Sequence, residues 1–489
     1  MASTYLAGNF APVHDELTVT ELAVTGTVPE FLDGRYLRNG PNPISEVDPA
    51  TYHWVFGDGM VHGVRLRDGQ AQWYRNRWVR SASVASALGE TAPGPRRSAR
   101  LTALGANTNV IAHAGRTLAL VEGGEASYEL SEELDTVGEY DFDGTLPGGY
   151  TPHPKRDPAT GELHAVSYFF GWGNRVQYSV IGTDGRARRT VDIQVTGSPM
   201  MHNFSLTEKY VIFYDLPVVF DAEQAVAAAP IPGPLRTPAK LVMSALIGRV
   251  RVPDPLHATM DRALPANGRM PYHWDPRYPA RVGVMPREGG SEDVRWFQVG
   301  PCFVFHPLNA YDLAGETGDT VVLDVVRHPK MFATDRNGPN EGQTTLDRWT
   351  IDLAASTLRE SLLDDHPQEF PQVDERVTGR RHRYGYTMAA QPGTGLNADN
   401  ALLRHDLLTG HTERHTLGAG RQGSEFVFVP SSPHAAEDDG VLMGYVYDTT
   451  TDCSDLVILD AQTLDSVATV HLPARVPNGF HGNWLPTSH

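Results

Sequence analysis

Of the 20 histidines in this chain of 489 residues, four sit where aromatic, glycine or proline residues flank them. They are GGYTPHPKRDP (His153), SPMMHNFSL (His202), CFVFHPLNAYD (His306) and PNGFHGNWLP (His481). An imidazole in an apolar setting needs partners for its ring nitrogens, because desolvating a polar group without one is costly. A metal ion is one such partner and a backbone carbonyl is the other. An all-imidazole set suits iron, copper, nickel or zinc, and disfavours calcium and magnesium, which prefer oxygen. His14, His328, His366, His382, His405, His411, His415, His434 and His489 lie in polar, charged or terminal stretches that suit solvent. His53, His62, His113, His164 and His471 fit either setting.

The four histidines are too far apart for a local metal motif, in which one helix or turn sets the geometry. A fold whose strands converge on one axis would bring them together. Short alternating strands recur, separated by turns rich in Asp, Gly and Thr: GVRLRDGQAQWY from Gly63, YSVIGTDGRARRTVDIQV from Tyr178, RWTIDLAASTLRES from Arg348, RHDLLTGHTERHTL from Arg404 and LVILDAQTLDSVATVHL from Leu456. Such turns suit tight hairpins, and hairpins spread through the whole chain point to an all-β propeller, with a plain β-sandwich array as the alternative. A chain of this length suggests several domains, but a propeller carries it on one axis, so residues 1–489 are expected to form a single domain. One stretch breaks the rhythm. Over 221–270 the runs AEQAVAAAP and KLVMSALIGRV favour helix, which predicts an insertion contributing to a dome or tunnel mouth. Its apolar part, Leu241 to Val250, is too short to span a bilayer and reads as a cap helix, with a membrane-dipping patch as the alternative.

Composition narrows the function. The net charge of −18 argues against nucleic-acid binding and against broad attachment to anionic lipid. Cys302 and Cys453 are the two cysteines, which excludes a disulfide framework and a cysteine-built zinc or iron–sulfur site. The N-terminus has neither a basic nor an apolar signal region, so a cytoplasmic location is expected, with peripheral membrane contact for substrate uptake left open. There is no G-x-S-x-G elbow and no phosphate-binding loop.

Several ordered motifs resemble the carotenoid cleavage oxygenases, which cleave carotenoid, apocarotenoid and stilbenoid alkenes. They are GRYLRNGPNP from Gly34, HWVFGDGMVHG from His53, ANTNV from Ala106, LALVEGG from Leu118, TPHPKRDP, MMHNFSLTEKYVIFYDLP, PYHWDPRYPARVGVMPR, FVFHPLNAYD, RRHRYGY from Arg380 and the terminal FHGNW. The resemblance spans nearly the full chain. It implies a seven-bladed propeller with a helical dome, and an Fe(2+) ion held on the axis by His153, His202, His306 and His481. It also implies three carboxylates that hydrogen-bond ligand imidazoles: Glu122 in LALVEGG, Glu369 in QEFPQVD and Glu425 in GSEFVFVP, where Phe426 replaces the family's usual proline. Such acids make chemical sense, since four neutral imidazoles leave the ion's charge uncompensated and an accepting carboxylate fixes each tautomer. Thr108 falls where some members keep a small side chain near the open coordination position.

The reaction implied is cleavage of a C=C bond by dioxygen to give two carbonyl products, with no protein nucleophile or general base needed. The expected partners are an apolar small molecule and dioxygen, with no obligate protein partner. Relatives that cleave phenolic stilbenes carry lysine immediately before the first glutamate of the set; Val121 stands there instead, which favours a long polyene over a stilbenoid or phenylpropenoid. Phe56, Phe169, Phe170 and Trp172 are candidate tunnel aromatics and equally candidate core residues. A non-catalytic propeller scaffold is the alternative outside the enzymes.

Overall fold

Asp68 and Gly69 both take positive φ, 52° and 68°. That is the hairpin geometry an Asp-Gly pair favours, and it joins Gly59–Arg67 to Gln70–Trp78. Ala114 and Gly115 repeat it, with φ of 50° and 72°, between Asn109–His113 and Arg116–Leu120. The computed structural model describes residues 4–50, 52–95, 105–123, 127–146, 149–221, 237, 270–315, 318–334, 341–390 and 398–487. The helical insertion expected over 221–270 lies outside the described residues apart from Asp221, Thr237 and Met270.

Among the described residues, hairpins of this kind build seven antiparallel sheets of four or more strands, the blades of a propeller, and one two-stranded ribbon of Val218–Phe220 with Tyr272–Trp274. Blade 1 orders Gly482–Pro486, Gly34–Pro41, Gly59–Arg67, Gln70–Trp78 and Thr18–Val19. Blades 2 to 6 begin with the inner strands Asn109–His113, Lys155–Arg156, Phe204–Leu206, Pro307–Leu313 and Gln368–Gln372. Blade 7 runs from Val427–Pro430 through Gly440–Asp448, Cys453–Asp460 and Ser466–His471 to Val24–Gly26. Both chain ends therefore close the ring: the C-terminal strand completes blade 1, and an N-terminal strand edges blade 7.

Alternation within each strand holds neighbouring blades together. In Gly34–Pro41, Tyr36 packs with Val427, Met443 and Tyr445 of blade 7, whereas its neighbour Leu37 packs with Val110, Ala119 and Tyr128 of blade 2. Successive side chains point to opposite faces of a sheet, so this inner strand, covered by a blade on either side, is buried along its whole length. Among the described residues the single α-helix is Ala82–Leu88, capped by Ser81 Oγ accepting from Val84 N–H at 3.3 Å and ended by Gly89 at φ 72°. Among the described residues no helix is long and apolar enough to cross a membrane.

Candidate metal centre

Each candidate site residue on the inner strands stands at or near the start of its strand, and its type differs from blade to blade. His153 precedes Lys155–Arg156, His202 precedes Phe204–Leu206, His306 precedes Pro307–Leu313 and His481 precedes Gly482–Pro486. Thr108 holds this place in blade 2, Glu369 lies within Gln368–Gln372 of blade 6, and Glu425 precedes Val427–Pro430 of blade 7. This repetition explains the scatter in sequence: four of the seven blades each carry one histidine, set just before the start of an inner strand.

The four histidines are buried and each offers one ring nitrogen, all four lying within 4.8 Å of one another. His202 Nε2 is 2.9 Å from His153 Nε2 and 3.1 Å from His306 Nε2. Two ligands held about 2.1 Å from one ion at a right angle lie about 3 Å apart, which matches. Their other nitrogens face acids. His306 Nδ1 donates to Glu369 Oε2 at 2.7 Å, His481 Nδ1 donates to Glu425 Oε1 at 3.0 Å, and His202 Nδ1 is in ion-pair contact with Glu122 Oε1. An ionised carboxylate only accepts, so Nδ1 carries the hydrogen and each Nε2 presents a bare lone pair. Lone pairs converging at 3 Å repel unless a cation lies between them. The donor set therefore fits a metal ion of the imidazole-preferring class.

Protonation agrees with this. Burial holds His153 well below its ordinary pKa, reinforced by the three imidazoles around it. Burial also pushes His306 down to about 4, although Glu369 pulls the other way. Glu425 stays below the ordinary carboxylate range despite burial, because His481, the Gly482 N–H and Gln372 favour its charged form. Glu369 is held low in the same way by His306 and His328 against the penalty of burial. Neutral imidazoles beside ionised carboxylates are the states a metal requires.

Each acid is itself held. Tyr168 Oη donates to Glu122 Oε2 at 2.9 Å, and Gln372 Nε2 donates to Glu425 Oε1 at 2.7 Å. Glu369 accepts from His328 Nε2 at 2.8 Å and from the Phe370 N–H at 2.6 Å. Glu369 and Glu425 are buried, but Glu122 is only partly so. Phe370 sits at φ 53°, a left-handed conformation costly for a bulky residue. There it stacks on His306, with ring centroids 5.7 Å apart. Among the described residues no carboxylate forms an ion pair with His153.

The expectation that His328, His382 and His405 face solvent is corrected: all three are buried. His328 pairs with Phe303 across an isolated bridge and donates to Glu369. His382 lies against Asn309 and Asp324, and His405 lies between Thr387 and Thr412. Long-range packing buries them where local polarity suggested exposure. Thr108 is buried; its Oγ1 donates to Asn107 Oδ1 at 3.0 Å, and its carbonyl accepts from His481 N–H at 3.1 Å. Phe169, Phe170 and Trp172 are buried and Phe56 half-buried, all within one large core cluster. Phe170 stacks on Phe220 at 4.3 Å, and Phe220 meets Tyr272, which packs on Tyr168. Sequence reasoning missed Tyr168, Gln372 and His328 as supports, and missed Phe305, whose ring lies 4.9 Å from that of His202. Phe305 adjoins His306 in sequence, so adjacency to a ligand was the one available signal.

Glu369→Gln is expected to weaken metal retention by about ten- to a hundred-fold, as is usual for partners of metal ligands. The amide keeps the shape but turns one accepting oxygen into a donor, facing the N–H groups of His306, His328 or Phe370. Competition with a chelator of known affinity measures the change, and an unaltered affinity would show that this carboxylate does not support its ligand.

A seven-bladed propeller with four buried imidazoles on its axis is a metalloprotein scaffold. The family described as retinal pigment epithelial membrane protein matches residues 10–486, and the chain belongs to that family, together with the carotenoid cleavage oxygenases. It is 58% identical to the carotenoid cleavage oxygenase of Mycobacterium tuberculosis, over 99% of this chain and 98% of that protein. Among solved structures, the lignostilbene dioxygenase of Pseudomonas brassicacearum is 27% identical with a TM-score of 0.81, covering 99% of both chains. A cobalt-substituted apocarotenoid oxygenase of Synechocystis is 27% identical with a TM-score of 0.79, covering 97% of both.

Proposed function

We propose that this chain is a non-haem iron(II) dioxygenase that cleaves one C=C bond of a carotenoid or apocarotenoid with dioxygen, giving two carbonyl products. The observation that carries the reading is the buried set of four imidazoles with carboxylates on three of them. His153, His202, His306 and His481 would hold the ion. Bound there, iron(II) would supply the one-electron chemistry that an alkene and ground-state dioxygen need, which redox-inert zinc cannot.

The protein's own residues do the rest by position. Glu122, Glu369 and Glu425 fix tautomers and offset the ion's charge. Phe305 and Phe370 pack on the ligand rings and hold them in place. Thr108, just before the inner strand of blade 2, would leave room beside the ion as a small side chain. Val121, buried between blades 1 and 2, offers no ammonium for a phenolate and supports a polyene. The aromatic row of Phe56, Phe169, Phe170 and Trp172 is the candidate wall for such a substrate. The expected partners are an apolar small molecule and dioxygen, with the strongly acidic surface disfavouring nucleic acid; substrate uptake by peripheral contact with a membrane belongs to the same reading.

A second reading, cleavage of a stilbenoid or phenylpropenoid alkene, is favoured by the similarity to the lignostilbene dioxygenase. Iron-loaded enzyme should convert β-apo-carotenals to shorter aldehydes and leave resveratrol-like phenols unchanged. Turnover of the phenols alone would replace the first reading with the second.

A further inference from the structure

The inner strands run on beyond the four histidines, and between them lies a cavity of about 140 Å3. His153, His306, His481 and Glu425 wall one end, Gln372 and Asn203 its side, and Glu375 and Thr378 also line it. Glu375 is exposed and Thr378 half-exposed, so they mark the mouth. A wider cavity of about 580 Å3 at blades 1 and 2 shares Asn109, Arg156, Glu375 and Asn483 with it, so the inner space adjoins a larger one. Lys155 lines the inner cavity too, where burial lowers its pKa and the charge of Glu375 acts against that.

Neither substrate of the proposed reaction needs this space. A polyene and dioxygen are apolar, and oxidative alkene cleavage consumes neither water nor protons. A metal ion does need a polar path, because stripping its water in apolar packing is prohibitive. Carboxylate and amide oxygens can replace lost water ligands one at a time. We propose that this axial cavity is the route by which the metal ion reaches the four histidines and leaves them, with Glu375 and Thr378 at its mouth. The proposal rests on the four-histidine metal reading. Opposite charges along the route have opposite effects: Glu375 draws a cation in, whereas Lys155 and Arg156 retard it.

The test uses full-length protein stripped by a chelator, mixed with cobalt(II) chloride and followed by its visible absorption in stopped flow. A route alters rates and not equilibria. Thr378→Trp should slow uptake and chelator extraction by the same factor, roughly tenfold or more, with an unchanged Kd. Glu375→Lys should slow uptake about tenfold at low salt, an effect fading towards roughly 1 M salt as the charge is screened. Lys155→Met should speed uptake. Cobalt binding by the parent with unchanged rates in Thr378→Trp and Glu375→Lys would overturn the route alone. So would a changed Kd at equal uptake rate, since it would make these residues part of the site. Glu375→Lys, at an exposed position, decides the matter should Thr378→Trp fail to fold. Failure of the parent to take up cobalt would overturn the metal reading and the route with it.

Discussion

His306→Ala is expected to lower metal affinity by about a hundredfold or more and to abolish alkene cleavage. A four-ligand site of roughly 10–16 kcal/mol loses about a quarter of that with one ligand, ~3 kcal/mol, which is about a hundredfold in Kd. The loss does not end there. His306 Nδ1 donates to Glu369 at 2.7 Å, so truncation leaves a buried carboxylate with His328 and the Phe370 N–H as its remaining partners. Removing one partner of a buried charge costs more than the bond itself contributed. Phe370 also loses the ring it stacks on, which removes what compensates its left-handed backbone. His164→Ala is the control: His164 is equally buried and bonds Tyr178 Oη at 2.7 Å, but it stands outside the cluster. It should cost stability and leave metal stoichiometry intact. Equal metal content in the parent and His306→Ala, by elemental analysis of dialysed protein, would end the oxygenase reading.

The parts of this molecule that were legible in sequence are those with local causes. Hairpins announced themselves through turn chemistry, as Asp68-Gly69 and Thr409-Gly410 show, because positive φ at such positions selects Gly, Asn and Asp. Seven blades were implied by family motifs and not countable from the repeat itself. Apolar flanks made the four histidines candidates; the ordered motifs selected them, and the axis supplies the physical reason. Long-range pairing left no local mark. Val24–Gly26 lies beside Ser466–His471, and nothing in either segment names the other. His328 sits in the polar run RHPK and is buried because its backbone bridges Phe303. Glu122, Glu369 and Glu425 were named, but their holders Tyr168, His328 and Gln372 were not, since each comes from a separate segment brought near only by the closed ring.

Gly479→Ala should destabilise the fold by roughly 3 kcal/mol, the upper end of overpacking in a filled interior, and should weaken metal binding through His481. A Cβ at Gly479 would lie 1.2 Å from Arg38 Nη1 and 2.4 Å from Arg38 Cζ. Arg38 cannot swing aside. It is 1% exposed, its Nη2 donates to Pro477 O at 2.6 Å, and a Cβ at Gly40, on its other side, would come within 2.3 Å of the same Nη1. The strand at Gly40 and the loop at Gly479 therefore both carry glycine so that a buried guanidinium fits between two backbones. What the collision moves is the ligand loop. Phe480 N–H donates to Asn39 O, Asn39 N–H to His481 O and His481 N–H to Thr108 O, at 3.0, 3.0 and 3.1 Å. Asn478 is pinned on the other side by Asn9 and by Trp54 Nε1. A displaced Arg38 pushes on this segment two residues before the ligand. Denaturant midpoints at unchanged m-value report the stability change, and metal titration reports the displacement of His481. The cause is separable by a double-mutant cycle with Arg38→Met: with the guanidinium gone, Gly479→Ala should cost about 1–2 kcal/mol less than it does in the parent. Additivity of the two substitutions would show that Arg38 and Gly479 act independently, and that His481 owes its place to the hydrogen bonds alone.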